Sequence, residues 1–205
     1  MPLREDETLG HALPVPVDIE WPETTLPPTL EAGAVHVWRF PLRLDAEALA
    51  RARDLLAGDE IARAERYAFE PSRRAFIAAR AALRTLLGRY TGVAPHDLVF
   101  EYGAQGKPEL VSRVGAAPLQ LNLAHAGDWG LIGVTAAGRI GVDIERERPV
   151  RDMDALASIC FSDAERAAYE ALDGSMRQEA FFAAWTRKEA VIKATGRGLA
   201  FPLRD

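Results

Sequence analysis

An α+β fold is predicted for this chain by three observations. Short alternating β-branched stretches are interleaved with longer stretches of helical apolar spacing. Helices, one long helix and short strands recur coarsely in each half, giving an approximate two-fold echo without a tandem repeat. The 205 residues, 48% hydrophobic and 27% charged, are enough to bury a sizeable core, as one domain or two small halves. The expected division is a Pro-rich tail or strap over 1–32, a first half over 33–137 and a second over 138–205.

Composition excludes several function classes. A net charge of −5 argues against nucleic acid as a partner. The single cysteine, Cys160, excludes an internal disulfide and a Cys-based zinc site. No apolar run reaches the length of a membrane span. The N-terminus, MPLREDETLGHALP, is acidic and lacks the apolar stretch of a signal peptide, so a cytoplasmic protein is expected.

Residues 1–32 hold six of the 13 prolines, which bars a helix or central strand there. Trp21 and Ile19 favour partial docking on the body. AVHVWRF, Ala34 to Phe40, alternates and is read as a strand, with His36 as a strand-face residue. Asp45 caps a helix to about Leu56, Gly58 ends it, and a second helix follows from about Asp59 to Tyr67. Pro71 opens a long helix to Tyr90, with Gly92 just past its end. Phe76, Leu83, Leu86, Leu87 and Tyr90 form its apolar side. Arg73, Arg80 and Arg84, with Arg74 adjacent, lie along another side, either as a solvated basic face or as an anion site whose guanidinium forks suit phosphate.

Leu98 to Tyr102 reads as a short strand, Gly103 to Pro108 as a turn carrying Lys107, and LQLNLAH (Leu119 to His125) as a strand. Gly127-Asp128 turns the chain into a return strand from Trp129 to Thr135, giving a hairpin. His125 is either a strand-end residue bonded to backbone or a binding residue at a loop. IGVDIE, Ile140 to Glu145, is read as the next strand. Asp143 and Glu145, two apart, then leave one face while Ile140, Val142 and Ile144 fill the other. Adjacent carboxylates repel and need a cation, for which Mg²⁺ with oxygen ligands is the natural candidate, against the alternative of scattered solvent-facing acids. Arg146 to Arg151 reads as a charged loop, and Ser162 with Glu165 as a capping box opening a helix to about Leu172.

The last stretch, Trp185 to Leu199 (WTRKEAVIKATGRGL), closes a long helix capped at Ser175, with Gly196 and Gly198 as stop signals. Trp185, Glu189 and Lys193 stack on one face, one turn apart. A Glu-to-Lys pair at that spacing is ordinarily a surface ion pair worth about 0.3–0.5 kcal/mol. Against that reading, the chain has 25 Lys plus Arg but only three Lys, at 107, 188 and 193, so Lys stands where a compact ammonium is wanted.

GVDIE (Gly141 to Glu145) followed by W-x-x-K-E-A-x-x-K-x-x-G-x-G-L (Trp185 to Leu199) resembles the 4′-phosphopantetheinyl transferase superfamily, of the Sfp-like type. The GKP turn (Gly106 to Pro108) and NLAH (Asn122 to His125) match in order and spacing, and the resemblance runs from about Val35 to Leu203. It implies two similar, pseudo-two-fold-related α+β halves, each a small sheet on a long helix, with coenzyme A in the cleft between them. It implies transfer of the phosphopantetheine arm to a serine of an apo acyl or peptidyl carrier protein, releasing adenosine 3′,5′-bisphosphate. Carried over by position, Asp143, Glu145 and Glu189 would hold Mg²⁺ or Mn²⁺, and Glu189 would also be the base for the serine hydroxyl. Lys193 would stabilise or protonate the leaving phosphate. Lys107 and His125 would bind coenzyme A phosphates, and Arg73, Arg74 and Arg80 the 3′-phosphate. Carrier proteins of the family are acidic, so an acidic enzyme needs a local basic patch, and Arg146, Arg148 and Arg151 are the nearest candidates. A monomer would suffice. The family strand often reads N-x-S-H-S, whereas Ala124 and Ala126 stand here in place of both serines. A silent module that binds coenzyme A or a carrier protein, and a metal-dependent phosphohydrolase, are the competing readings. The second lacks the many His and Asp ligands of a two-metal site.

Overall fold

The computed structural model describes residues 21, 27, 29–103, 106–111, 118–196 and 203–204. It is α+β. The elements run β1 (Val35–Pro41), α1 (Ala46–Asp54), α2 (Gly58–Glu65), α3 (Glu70–Thr91), β2 (Phe100–Tyr102), β3 (Pro108–Leu110), β4 (Gln120–Ala126), β5 (Trp129–Thr135), α4 (Met153–Cys160), α5 (Asp163–Glu170) and α6 (Gly174–Thr195). A short 3₁₀ turn, Pro95–Asp97, lies between α3 and β2.

The main sheet is antiparallel in the order β1-β5-β4, and β2 and β3 form a separate hairpin. The two-residue turn at Gly127, in the left-handed region at φ 57°, sets the register His125 opposite Gly130 and Asn122 opposite Gly133. One sheet face, with Leu121, Ile132 and Val134, packs on Leu83, Leu86 and Leu87 of α3. Helices α1 and α2 and the turn between them bury Ala52, Leu56 and Ala64 against Ile77 and Ala81 of α3. A further cluster, Phe161, Tyr169, Phe181 and Phe182 among others, holds α4, α5 and α6 together.

Local signals set most boundaries. Asp45 accepts the amide of Ala48 at the start of α1, and Ser162 and Glu165 complete the expected capping box of α5. Gly92 and Gly196 end α3 and α6 at φ 68° and 69°. Asp173 rather than Ser175 precedes α6. Trp21 docks as expected, its ring 5.0 Å from the Arg39 guanidinium, which also lies over Trp129 at 4.5 Å. Ile19 and Gly198 lie outside the described residues.

Two expectations are corrected, and one element is new. Ile140 to Glu145 is not a strand, because no neighbouring strand gives it a ladder among the described residues. The described residues from 138 onward contain no strand, so the sheet expected in the second half is not seen there. Helix α4 was not foreseen. It starts without a side-chain cap, after Asp152 in the left-handed region at φ 57°, so the usual start signal is missing.

Candidate active site

The site forms where the segment after β5 crosses α6. Gly141 makes that crossing possible. A Cβ there would overlap the carbonyl oxygen of Ala190 and lie 2.5 Å from the amide nitrogen of Ala194. On the sheet side, a Cβ at Gly133 of β5 would stand 2.7 Å from both Ile140 Cδ1 and Val142 Cγ1. The segment is thus pressed between sheet and helix by two positions without side chains. A side chain does the work of the missing ladder, since the Val142 N–H donates to Oδ1 of buried Asn122 at 2.8 Å.

This placement brings Asp143 against α6. Its side chain is 5% exposed, and Oδ1 accepts from Lys193 Nζ at 2.5 Å. The other oxygen, Oδ2, is buried and has no hydrogen-bond partner among the described residues. Burial pushes the Asp143 carboxyl above the usual carboxylate range, opposed by the Lys193 ammonium and the Ile144 N–H. Glu189, half-buried, is raised too, first by burial and then by the charge of Asp143, with Lys193 opposing and Glu145 adding. His125 is pushed below the ordinary imidazole value, by burial and then by Lys193. Asp143, Glu145, Glu189, Lys193 and His125 therefore share one electrostatic neighbourhood. Among the described residues no three His, Cys, Asp or Glu side chains are already gathered at metal-binding distance. Lys193 reaches across to Asp143 rather than along its own helix, so the surface Glu-to-Lys pair is not what the structure shows.

The remaining candidates divide. Lys107, presented by the Gly106 turn, donates to the carbonyls of Ile140 at 2.8 Å and Lys193 at 3.2 Å, and burial lowers its pKa. Arg80 is already engaged. Its guanidinium, 4% exposed, is committed to Glu60, with Tyr102 Oη at 3.1 Å, and Arg84 holds the second Glu60 oxygen at 2.5 Å. Neither can serve a solvated basic face or a phosphate without abandoning Glu60. Arg74 donates to Leu44 O at 2.6 Å, and Arg73 pairs with Glu70 while staying partly exposed. Arg146, Arg148 and Arg151 are exposed just past the Asp143 segment. Ala124 is buried, and Ala126 closes β4 beside the turn.

Sequence reading missed the positioning residues Gly141, Gly133 and Asn122. Asn122 and Gly141 stood in the NLAH and GVDIE motifs without a positioning role read for either; Gly133 left no trace beyond its presence.

Comparison with known proteins decides the family. Residues 44–137 match the model described as 4′-phosphopantetheinyl transferase, N-terminal, and residues 139–205 match that of the 4′-phosphopantetheinyl transferase superfamily. The 4′-phosphopantetheinyl transferase HetI of Nostoc sp. is 40% identical over 172 residues, covering 84% of this chain and 73% of the relative. The chain belongs to the 4′-phosphopantetheinyl transferase superfamily. A putative 4′-phosphopantetheinyl transferase of Synechocystis sp. is 40% identical over 165 residues, covering 80% of this chain and 66% of that protein. The 4′-phosphopantetheinyl transferase AcpT of Salmonella typhimurium is 39% identical over 113 residues, 55% of this chain and 56% of its own. Within the superfamily region of 139–205 fall Gly141, Asp143, Glu145, Glu189 and Lys193. Among the described residues no helix is long and apolar enough to cross a membrane.

Proposed function

We propose that this protein transfers the 4′-phosphopantetheine arm of coenzyme A to a serine hydroxyl of an apo acyl or peptidyl carrier protein, releasing adenosine 3′,5′-bisphosphate. The observation that carries the reading is the Asp143 carboxylate, buried between Lys193 and an empty hydrogen-bonding direction, in a chain of this superfamily. Phosphoryl transfer requires charge neutralisation and alignment more than covalent help, and this group of side chains supplies both.

Coenzyme A is taken in the cleft between the two halves. Glu189, whose proton affinity is raised by burial and by Asp143, is the base that accepts the serine proton. Lys193 carries a positive charge beside the breaking phosphate bond and can follow the charge as it moves to the leaving bisphosphate. His125, its imidazole pushed below the ordinary value, donates a ring N–H to a phosphate oxygen. Arg73 and Arg74 stand for the 3′-phosphate, both being partly exposed. Asp143 Oδ2 is an orphaned acceptor of the kind a cation satisfies, so the carboxylates fit Mg²⁺ or Mn²⁺. Asp143, Glu145 and Glu189 would hold that ion, which when bound neutralises pyrophosphate charge. The acidic carrier docks at Arg146, Arg148 and Arg151, and the enzyme acts as a cytoplasmic monomer.

The test is incubation with coenzyme A, Mg²⁺ and an apo carrier protein, followed by mass spectrometry of the carrier. The mass of the added arm on serine is expected, and its loss in a folded Asp143→Ala variant. Retention of coenzyme A without any transfer would indicate a silent binding module instead.

A further inference from the structure

We infer that Lys107 is a positioning residue, whose ammonium clamps the Asp143-bearing segment to the C-terminal end of the catalytic helix α6, rather than a ligand for a coenzyme A phosphate. The inference rests on the transferase reading for the meaning of the site, but the clamp itself is a matter of geometry.

Three elements meet at this ammonium. It stands on the tight turn between β2 and β3, where Gly106 takes φ 73° and the Gly103 N–H closes on Lys107 O at 3.0 Å. Its Nζ reaches Ile140 O at 2.8 Å and Lys193 O at 3.2 Å. Ile140 lies three residues before Asp143, and Lys193 is the residue whose own ammonium holds Asp143 at 2.5 Å. Two ammonium groups therefore bridge the same two segments in series, one through backbone carbonyls and one through a side chain. Between them Gly141 lies in backbone contact with Ala190 and Ala194.

The chemistry of the helix end explains why a cation is wanted there. The last four carbonyls of a helix have no partner within it, and the end carries partial negative charge. In α6 the Ile192 carbonyl is met by the Gly196 N–H at 3.0 Å, the Lys193 carbonyl by Lys107, and the Thr195 carbonyl by Arg139 at 3.2 Å. Arg139 belongs to the crossing segment and ties it to the helix end directly, whereas Lys107 reaches both from a third element. A compact ammonium with three tetrahedrally placed donors can serve carbonyls from two separate segments, which a planar fork matched to one carboxylate does less well. Two of its three donors are already used inward. A phosphate contact through them would release both carbonyls and with them the alignment of Asp143.

The experiment compares wild type with Lys107→Met, which keeps most of the stem and removes the donors, and Lys107→Gln, whose shorter neutral amide keeps two. Steady-state transfer is measured with coenzyme A and carrier varied separately. Binding of adenosine 3′,5′-bisphosphate is measured by calorimetry. Hydrogen exchange is followed in peptides spanning 138–146 and 190–196. The clamp predicts a kcat about 10- to 100-fold lower in Lys107→Met, the loss usual for residues that orient ligand groups. It also predicts an unchanged KM for coenzyme A, unchanged bisphosphate affinity, faster exchange in both peptides, and partial recovery in Lys107→Gln. A raised KM for coenzyme A with weakened bisphosphate binding and unchanged exchange would overturn it in favour of a phosphate ligand. If Lys107→Met does not fold, the exchange and bisphosphate measurements on Lys107→Gln decide between the same outcomes. Should wild type show no transfer at all, the transferase reading fails, while the exchange comparison still decides whether the clamp exists.

Discussion

Replacing Gly141 by alanine adds one carbon at the tightest place in the site. That carbon would overlap Ala190 O and stand 2.5 Å from Ala194 N and 2.9 Å from the Ala190 carbonyl carbon. Ordinary contacts between such atoms are about 3.5 Å, so the two backbones must part by roughly 1 Å or more. The helix cannot yield easily, because those atoms belong to its own hydrogen-bond ladder. The segment moves instead, away from α6 and against the sheet: the Asp143–Lys193 contact lengthens, Lys107 can no longer reach both Ile140 O and Lys193 O, and Val142 is driven against Gly133 and Asn122. A misplacement of about 1 Å at reacting groups costs on the order of a hundredfold in rate. Overpacking costs about 1–3 kcal/mol of stability, or a melting temperature lower by roughly 2–12 °C for a chain of this size. The assay is transfer to an apo carrier protein at saturating coenzyme A and Mg²⁺, below the melting point of the variant. A folded Gly141→Ala protein with wild-type kcat would refute the placement of the segment against α6, and with it the argument for Asp143.

Lys193→Ala should lower kcat by about a hundredfold or more and leave Asp143 buried without its cationic partner, whereas Lys193→Arg should restore coenzyme A binding and only part of the rate. Full activity in Lys193→Ala would reduce the Asp143 contact to a structural one. Glu60→Gln removes the charge shared by two buried arginines and should destabilise by about 3–5 kcal/mol, read from urea unfolding. An unchanged midpoint would show that Arg80 and Arg84 are satisfied without it. Reversing Arg148 and Arg151 to Glu should raise the KM for carrier and leave that for coenzyme A alone. A constant carrier KM would move the docking surface elsewhere.

The sequence by itself determined the α+β class, the hairpin of β4 and β5, the caps of α1 and α5, and the glycine ends of α3 and α6. These depend on interactions within a few residues, which composition and spacing express directly. It also picked out GVDIE, whose neighbouring carboxylates need a cation, and the WTRKEAVIK helix, through two of the chain's three lysines and the resemblance the two motifs carry together. Tertiary structure decided the rest. Arg80 and Arg84 look alike with Arg73 along one helix. Only the fold puts Glu60 between the first two and leaves Arg73 partly exposed. Lys193 is four residues from Glu189, yet its partner is Asp143, 50 residues away. Ile140 to Glu145 has the composition of a strand, but pairing is a property of neighbours, and its neighbours are a helix backbone and one asparagine. A glycine records that space is scarce, not what fills it.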